Sequence, residues 1–213
     1  MRRRPITTVH RDETQSCHYD DSVARWEPNA RERLERAAFA LFAEQGYDDT
    51  TVEQIAAGAG LARSSFFRHY RDKREILFGE QDALASRLAD SIKNAPAQQT
   101  ALEAIETAFA DIAADWFTPA RRDLVPARNS VVASNPELRE RELLKLAGIK
   151  NAITAALRSR GTEEPSATVA AELATLTLSQ TIASWAEPDN TEEFAVIARQ
   201  VLRRLHTAAA DLS

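Results

Sequence analysis

The chain has 213 residues, of which 44% are hydrophobic and 28% charged, with only 6 Gly and 8 Pro. That length allows one sizeable domain or two small ones, and an apolar fraction dominated by Ala and Leu with little loop material predicts an all-α globular protein. The formal net charge of −5 does not suggest a chain that is basic throughout, and the longest run free of charge, residues 173–186, has 14 positions, short of the ~20 that a membrane span needs.

Residues 1–26 mix Arg, Asp, Ser, Thr and His without a period and read as a disordered arm. No apolar run follows the early arginines, so the arm does not read as a secretory signal. The lone Cys17 cannot form an internal disulfide, and both features point to a reducing cytoplasm. His10, Cys17 and His18 fall short of a four-ligand metal site, and neither a metal nor a cofactor is expected.

Pro28 suits a first helical position, and Leu34, Ala37, Ala38, Leu41 and Phe42 then recur at helical spacing until Gly46. The sequence TVEQ at residues 51–54 matches a capping box and opens a second helix with Val52, Ile55, Ala56 and Ala59 on one face. Gly60 breaks it, and a third short helix covers residues 62–70. Asp72 and Glu75 open a longer helix with Leu77, Leu84, Leu88 and Ile92 along one stripe, closed by Pro96. Leu102, Ile105, Phe109, Ile112 and Trp116 mark the next one, which ends before Pro119, and Pro126 predicts a break in the segment that follows. NPEL at residues 135–138 starts a helix that can reach Gly161. Pro165 opens another, to about Trp185, and the last carries Phe194, Ile197, Val201 and Leu205. Nine helices and no strand are expected. A boundary near residue 75 divides a helical domain at 27–75 from a larger one at 76–213.

The charge is uneven along this order. Residues 1–75 hold 13 Lys/Arg and 13 Asp/Glu, while residues 60–74 hold Arg63, Arg68, Arg71, Lys73 and Arg74 against Asp72 alone. At 100° per residue Phe66 and Tyr70 share one face of the third helix, and Arg63 and Phe67 share another with Ser64 and Arg68 beside them. Leu61 and Phe66 can therefore join Leu41, Phe42, Val52 and Ile55 in a small core while the basic face looks outward. Two short helices joined by a Gly turn make a helix-turn-helix, whose second helix fits a DNA major groove. Arg can bond guanine edges and Phe67 can touch a thymine methyl or a sugar. Periodicity alone leaves a second reading open, in which Phe67 packs on a neighbouring helix and the arginines form a solvated face.

Residues 31–77, and above all LFAEQGYDDTTVEQIA, AGLARSSFFRHY and Lys73, resemble the N-terminal domain of TetR-family transcriptional regulators. The resemblance implies that Thr51 and Lys73 hold DNA phosphates and that Arg63, Ser64, Ser65, Phe67, Arg68 and His69 form the reading surface. His69 also reads as an ordinary surface histidine. The family often has Ser in place of Ala62 and Tyr in place of Phe67, so one helix cap and one phenolic phosphate contact are absent here.

Residues 173–186 are uncharged far beyond one buried stripe and need cover on two sides. That predicts a twofold homodimer through the last two helices, with Leu176, Ile182, Val201 and Leu205 at the interface, as the resemblance also implies. Two recognition helices would then meet half-sites ~34 to 36 Å, or a multiple, apart. The family's C-terminal domain binds a small effector that alters the separation of the DNA-binding heads. Candidate pocket residues are Phe109, Trp116, Phe117, Arg128, Gln180 and Trp185, with Arg121, Arg122 and Asn129 as further polar anchors. The stretches SFFRHYRDKREILFG and ASNPELRERELLKLA are similar to regulators of the mycofactocin type, which implies an acyl-CoA-like effector. The function expected is a one-component cytoplasmic regulator, a repressor by family default, acting on double-stranded DNA. The rival readings are a helical interaction module and a helical-bundle enzyme. Against the enzyme, no HExxH, GxSxG, P-loop or dinucleotide fingerprint occurs in the chain.

Overall fold

A computed structural model describes residues 29–212. The expected arm at residues 1–26, with His10, Cys17 and His18, and the helical position of Pro28 lie outside them. The described residues form eleven helical segments, and no strand is assigned among them. In chain order they are α1 (Ala30–Gln45), α2 (Val52–Gly58), α3 (Arg63–His69), α4 (Lys73–Phe78), α5 (Gln81–Asn94), α6 (Ala101–Trp116), α7 (Pro119–Arg122), α8 (Val125–Ser134), α9 (Pro136–Ser159), α10 (Glu164–Trp185) and α11 (Phe194–Ala210). No described helix is long and apolar enough to cross a membrane.

Two of the nine expected helices are divided. The one opened by Asp72 stops at Gly79, where a Cβ would lie 2.6 Å from the carbonyl oxygen of Glu75, and it resumes as α5. The segment carrying Pro119 and Pro126 becomes α7 and α8, each with a proline in its first turn, where a missing N–H costs nothing.

Side chains written into the sequence set most boundaries. Thr51 accepts from the Gln54 backbone N–H at 3.2 Å and Gln54 accepts from the Thr51 N–H at 2.8 Å, completing the capping box of α2. Asp72 accepts from the N–H groups of Arg74 and Glu75, and Asn135 from those of Glu137 and Leu138. Ala62 gives α3 no side-chain cap, as its identity required. Gly46 at φ 89° and Gly60 at φ 66° end α1 and turn the chain from α2 into α3, a conformation that side chains with a Cβ rarely adopt.

Two hydrophobic cores result. The smaller joins Leu34, Ala38, Phe39 and Phe42 of α1 to Ile55 and Ala56 of α2, Phe66 of α3 and Ile76, Leu77 and Phe78 of α4. It also takes Val131 and Val132 from α8 and Leu138 from α9. The larger is made by α5, α6, α9, α10 and α11.

Phe66 is wholly buried and stands 5.6 Å, centroid to centroid, from the ring of Tyr70, whose hydroxyl donates to Glu35 at 2.7 Å. Truncating it leaves a cavity between three helices. Phe66→Ala is expected to lower stability by about 3 to 5 kcal/mol in urea unfolding; a loss below about 1 kcal/mol would show that α3 is anchored elsewhere.

Candidate nucleic-acid interface

The buried ring of Phe66 fixes the roll of α3, and with it the direction of everything else on that helix. Arg63, Ser64, Phe67, Arg68 and His69 are exposed, and Phe67 keeps 44% of its surface open to solvent. The Arg63 guanidinium lies over the Phe67 ring at 4.7 Å and bonds the carboxylate of Glu53 on α2. Glu53 is held below the usual carboxylate range, first by its own backbone N–H and then by Arg63. Glu53 stands in the first turn of α2, and the packing of α3 on α2 brings it to Arg63.

Two residues depart from the expected surface. Ser65 is buried, because it stands four positions after Leu61 and shares its inward face, and its hydroxyl accepts from Arg68 Nη2 at 2.8 Å. It orients Arg68 and does not face outward. Lys73 donates to the backbone carbonyls of Tyr47, Asp48 and Thr50 at 2.6, 3.0 and 2.9 Å, and sits over the Tyr47 ring at 4.4 Å. An ammonium has three protons, so Lys73 ties down the loop that presents Thr51. Thr51 is exposed at the start of α2, on the same edge as this loop.

Behind this module, between the two cores, lies a cavity of about 370 Å³. Trp116, Phe117, Arg128 and Trp185 line it, as do Arg121, Asn129 and Ile182. Phe109 is sealed in the larger core, and Gln180 instead accepts from Arg204 at 3.1 Å. Arg122 bonds the carbonyl of Asn190. The cavity also has charged residues that sequence reading passed over. Glu80 joins Arg31 of α1 at 2.8 Å to Arg121 of α7 at 2.5 Å. Glu142 joins Arg128 of α8 at 2.5 Å to Lys145 of its own helix at 3.4 Å. Arg128 also donates to the carbonyl of Leu77 in α4 at 3.2 Å. Burial, and then repulsion from Arg128, bring the Lys145 ammonium down to about 8, against an ordinary 10.5.

Of the expected dimer residues, Leu176 is 46% exposed, and Val169 and Val196 are open with it on α10 and α11. Val201 is only 3% exposed and packs into the chain's own larger core, one turn after Ile197, so it does not present a surface. Leu205 is partly buried on that core, and Ile182 faces the cavity.

Residues 35–79 match the family described as bacterial regulatory proteins, tetR family. The HTH-type transcriptional regulator TcmR of Streptomyces glaucescens is 37% identical over 79 residues, 37% of this chain and 35% of that protein. The match thus spans about a third of that relative's length. The putative mycofactocin biosynthesis transcriptional regulator MftR of Mycobacterium tuberculosis is 27% identical over 135 residues, 63% of this chain and 67% of that protein. Among solved structures, the transcriptional regulator FadR from Bacillus subtilis in complex with stearoyl-CoA has the same fold. It superposes with a TM-score of 0.50 at 23% identity, over 81% of this chain and 96% of that one.

The cavity has a titratable signature. Between the depressed value near 8 and the ordinary 10.5 of Lys145, the unfolded chain keeps a proton that the folded chain has released. Its contribution to stability therefore rises with pH across that window. Arg128 of α8, Glu142 of α9 and Asp82 of α5 face the same surroundings. Measured from urea midpoints at about pH 7.5 and about pH 9.5, the stability of the protein relative to Lys145→Met is expected to increase with pH. A flat or falling difference would remove the buried ammonium from the account.

Proposed function

We propose that the chain, whose residues 35–79 match the tetR family of bacterial regulatory proteins, is a ligand-responsive transcriptional repressor of that family in the cytoplasm. It binds a palindromic operator as a homodimer, with residues 27–75 as the DNA-binding domain and residues 76–213 as the effector-binding and dimerisation domain. The observation that carries the reading is the division of the Phe66–Phe67 pair. One ring is enclosed by α1 and α2, and the other stands with Arg63 on an open ridge of a size that fits a major groove.

On this reading Arg63 and Arg68 read base edges, while Ser64, Phe67 and His69 contact sugar, phosphate or a thymine methyl. Thr51 holds a phosphate at the N-terminus of α2, where the helix dipole favours an anion. Lys73 acts on DNA chiefly by fixing the loop before Thr51, with its charge adding to the field of the patch. Glu53 must give up Arg63 when a guanine takes it. The names of the curated relatives, regulators throughout, favour this class over an enzyme.

The effector site we assign to the cavity between the two cores, with Trp116, Phe117, Arg128 and Trp185 as its wall. An acyl-CoA-like effector is consistent with that apolar wall and with the stearoyl-CoA of the structurally similar FadR. The dimer forms through α10 and α11, with Leu176, Val169 and Val196 as the exposed apolar contacts.

Two measurements test this. In gel shifts with a selected palindrome and a scrambled duplex at fixed salt, Arg63→Ala is expected to lose about 1 to 3 kcal/mol on the palindrome and far less on the scrambled duplex. Equal losses on both would overturn the base-reading role. In sedimentation, Leu176→Glu is expected to shift the protein from dimer to monomer, because it places a charge in an apolar contact; an undisturbed dimer would move the interface away from α10.

A further inference from the structure

The cavity wall is not neutral everywhere. At its α1–α7 end the charges balance: Arg31 and Arg121 face Glu80 and Glu35. At its α8–α9 end they do not. Arg128 and Lys145 are both bonded to one carboxylate, Glu142, and the side chains of all three are less than a quarter exposed; of the other acids nearby, Glu75 pairs with Arg71 and Asp82 faces Lys145 from α5. Arg141 adds a third cation nearby, its guanidinium 5.6 Å from the ring of Phe78, which Arg128 also approaches at 5.3 Å. Two partly buried cations bonded to one carboxylate keep hydrogen-bond donors to spare where water screens their charge poorly. A second feature of the wall has the same sign. The indole N–H of Trp116 is buried with no acceptor among the described residues, and a buried donor without a partner costs about 1 to 3 kcal/mol. Both features call for an acceptor arriving from outside, and neither calls for a donor.

From this geometry we infer that the cavity binds an amphipathic anion, with its acidic head on Arg128 and Lys145 in place of Glu142 and its apolar body against Trp116, Phe117, Ile182 and Trp185. This rests on the reading of the chain as ligand-responsive and adds the chemical class of the ligand and the residues that select it. The volume of about 370 Å³ lies near the lower end of the range for small-molecule sites, ~300 to 1,000 Å³. It suits a medium-length chain or a small ring system. The head can be a free carboxylate or a phosphate carried by a larger group that remains outside. Both provide the acceptor that the two cations lack. Glu142 holds the cations in place while the site is empty and competes with the head when it is filled.

Calorimetry with four probes on the full chain, without DNA, tests the inference: decanoate, decanoyl-CoA, decanol and decylammonium. At least one of the two anions is expected to bind about tenfold or more tighter than decanol, since a charge-assisted hydrogen bond contributes ~1.5 to 3 kcal/mol and 1.4 kcal/mol is tenfold. Tighter decanoate identifies the carboxylate as the head, and tighter decanoyl-CoA the phosphate. Lys145→Met is expected to bring the preferred anion down to the affinity of decanol and leave decanol unchanged. Glu142→Gln removes the competitor and is expected to raise anion affinity several-fold, a gain that a purely structural role for Glu142 does not produce. Equal binding of anions and alcohol, tighter decylammonium, or anion affinity unmoved by Glu142→Gln would overturn the inference. A separate gel shift with the preferred anion isolates the underlying reading: an anion that binds by these rules but does not change operator affinity leaves the head-group assignment standing and removes the ligand response.

Discussion

The smaller core does not close on its own four helices. Phe66 fixes α3 against α1 and α2, but Val131 and Val132 of α8 and Leu138 of α9 complete the far side of the same core. Apolar burial is the dominant favourable term in folding, at roughly 25 cal/mol per Å², so α1, α4 and α8 cannot shift independently without opening that seam. The core into which Phe66 anchors the basic ridge is therefore completed by residues more than sixty positions away in the chain. A boundary drawn near residue 75 from charge and helix pattern passes through this shared packing.

That seam also explains the position of the cavity. Two cores that meet side by side leave a gap where neither set of side chains reaches, and here the gap is lined from α1 and from α4 through α10. Its charged wall follows from the same topology. Arg31, Glu80 and Arg121 belong to three elements and meet only because α1 and α7 come together over the start of α5. Arg128 reaches in one direction to the Leu77 carbonyl and in the other to Glu142, so a single guanidinium spans α4, α8 and α9.

What the sequence made legible was local. The capping box at Thr51, the caps at Asp72 and Asn135, the turns at Gly46 and Gly60 and the inward roll of Phe66 each depend on spacing within about ten residues, and the structure has all of them. The features that escaped depend on distant contacts. Glu142 and Lys145 sit in RERELLKLA, a pattern that reads as a solvated face with i,i+3 ion pairs, and only Arg128 arriving from α8 makes it a wall of the cavity. The resemblance made Lys73 a phosphate contact, and spacing gave no sign that three carbonyls of the loop before α2 converge on it. Val201 looked as suitable for a dimer contact as Leu176, since an apolar residue on an amphipathic helix does not declare which partner covers it. The gap between Phe78 and Gln81 was invisible because Gly79 ends α4 with helical dihedrals, φ −66° and ψ −13°, and not with a left-handed turn; only glycine fits there, since a Cβ would lie against the Glu75 carbonyl.

These contacts define how the two ends of the chain can influence each other. A molecule that displaces Glu142 from Arg128 alters the guanidinium that also holds the last turn of α4, and α4 follows α3 after only Tyr70, Arg71 and Asp72. Because the Leu77 and Phe78 side chains are part of the smaller core, which is close-packed, a ligand response of the kind proposed would reach α3 through that turn. On the proposed function such a coupling is reciprocal: DNA would change the affinity of the cavity by the same factor by which the cavity's ligand changes the affinity for DNA. A typical coupling of about 1 to 3 kcal/mol is comparable to the contribution of one charge-assisted hydrogen bond at ~1.5 to 3 kcal/mol. Rearrangement at Arg128 alone is thus of the right size to set the proposed response, without any larger refolding of the body.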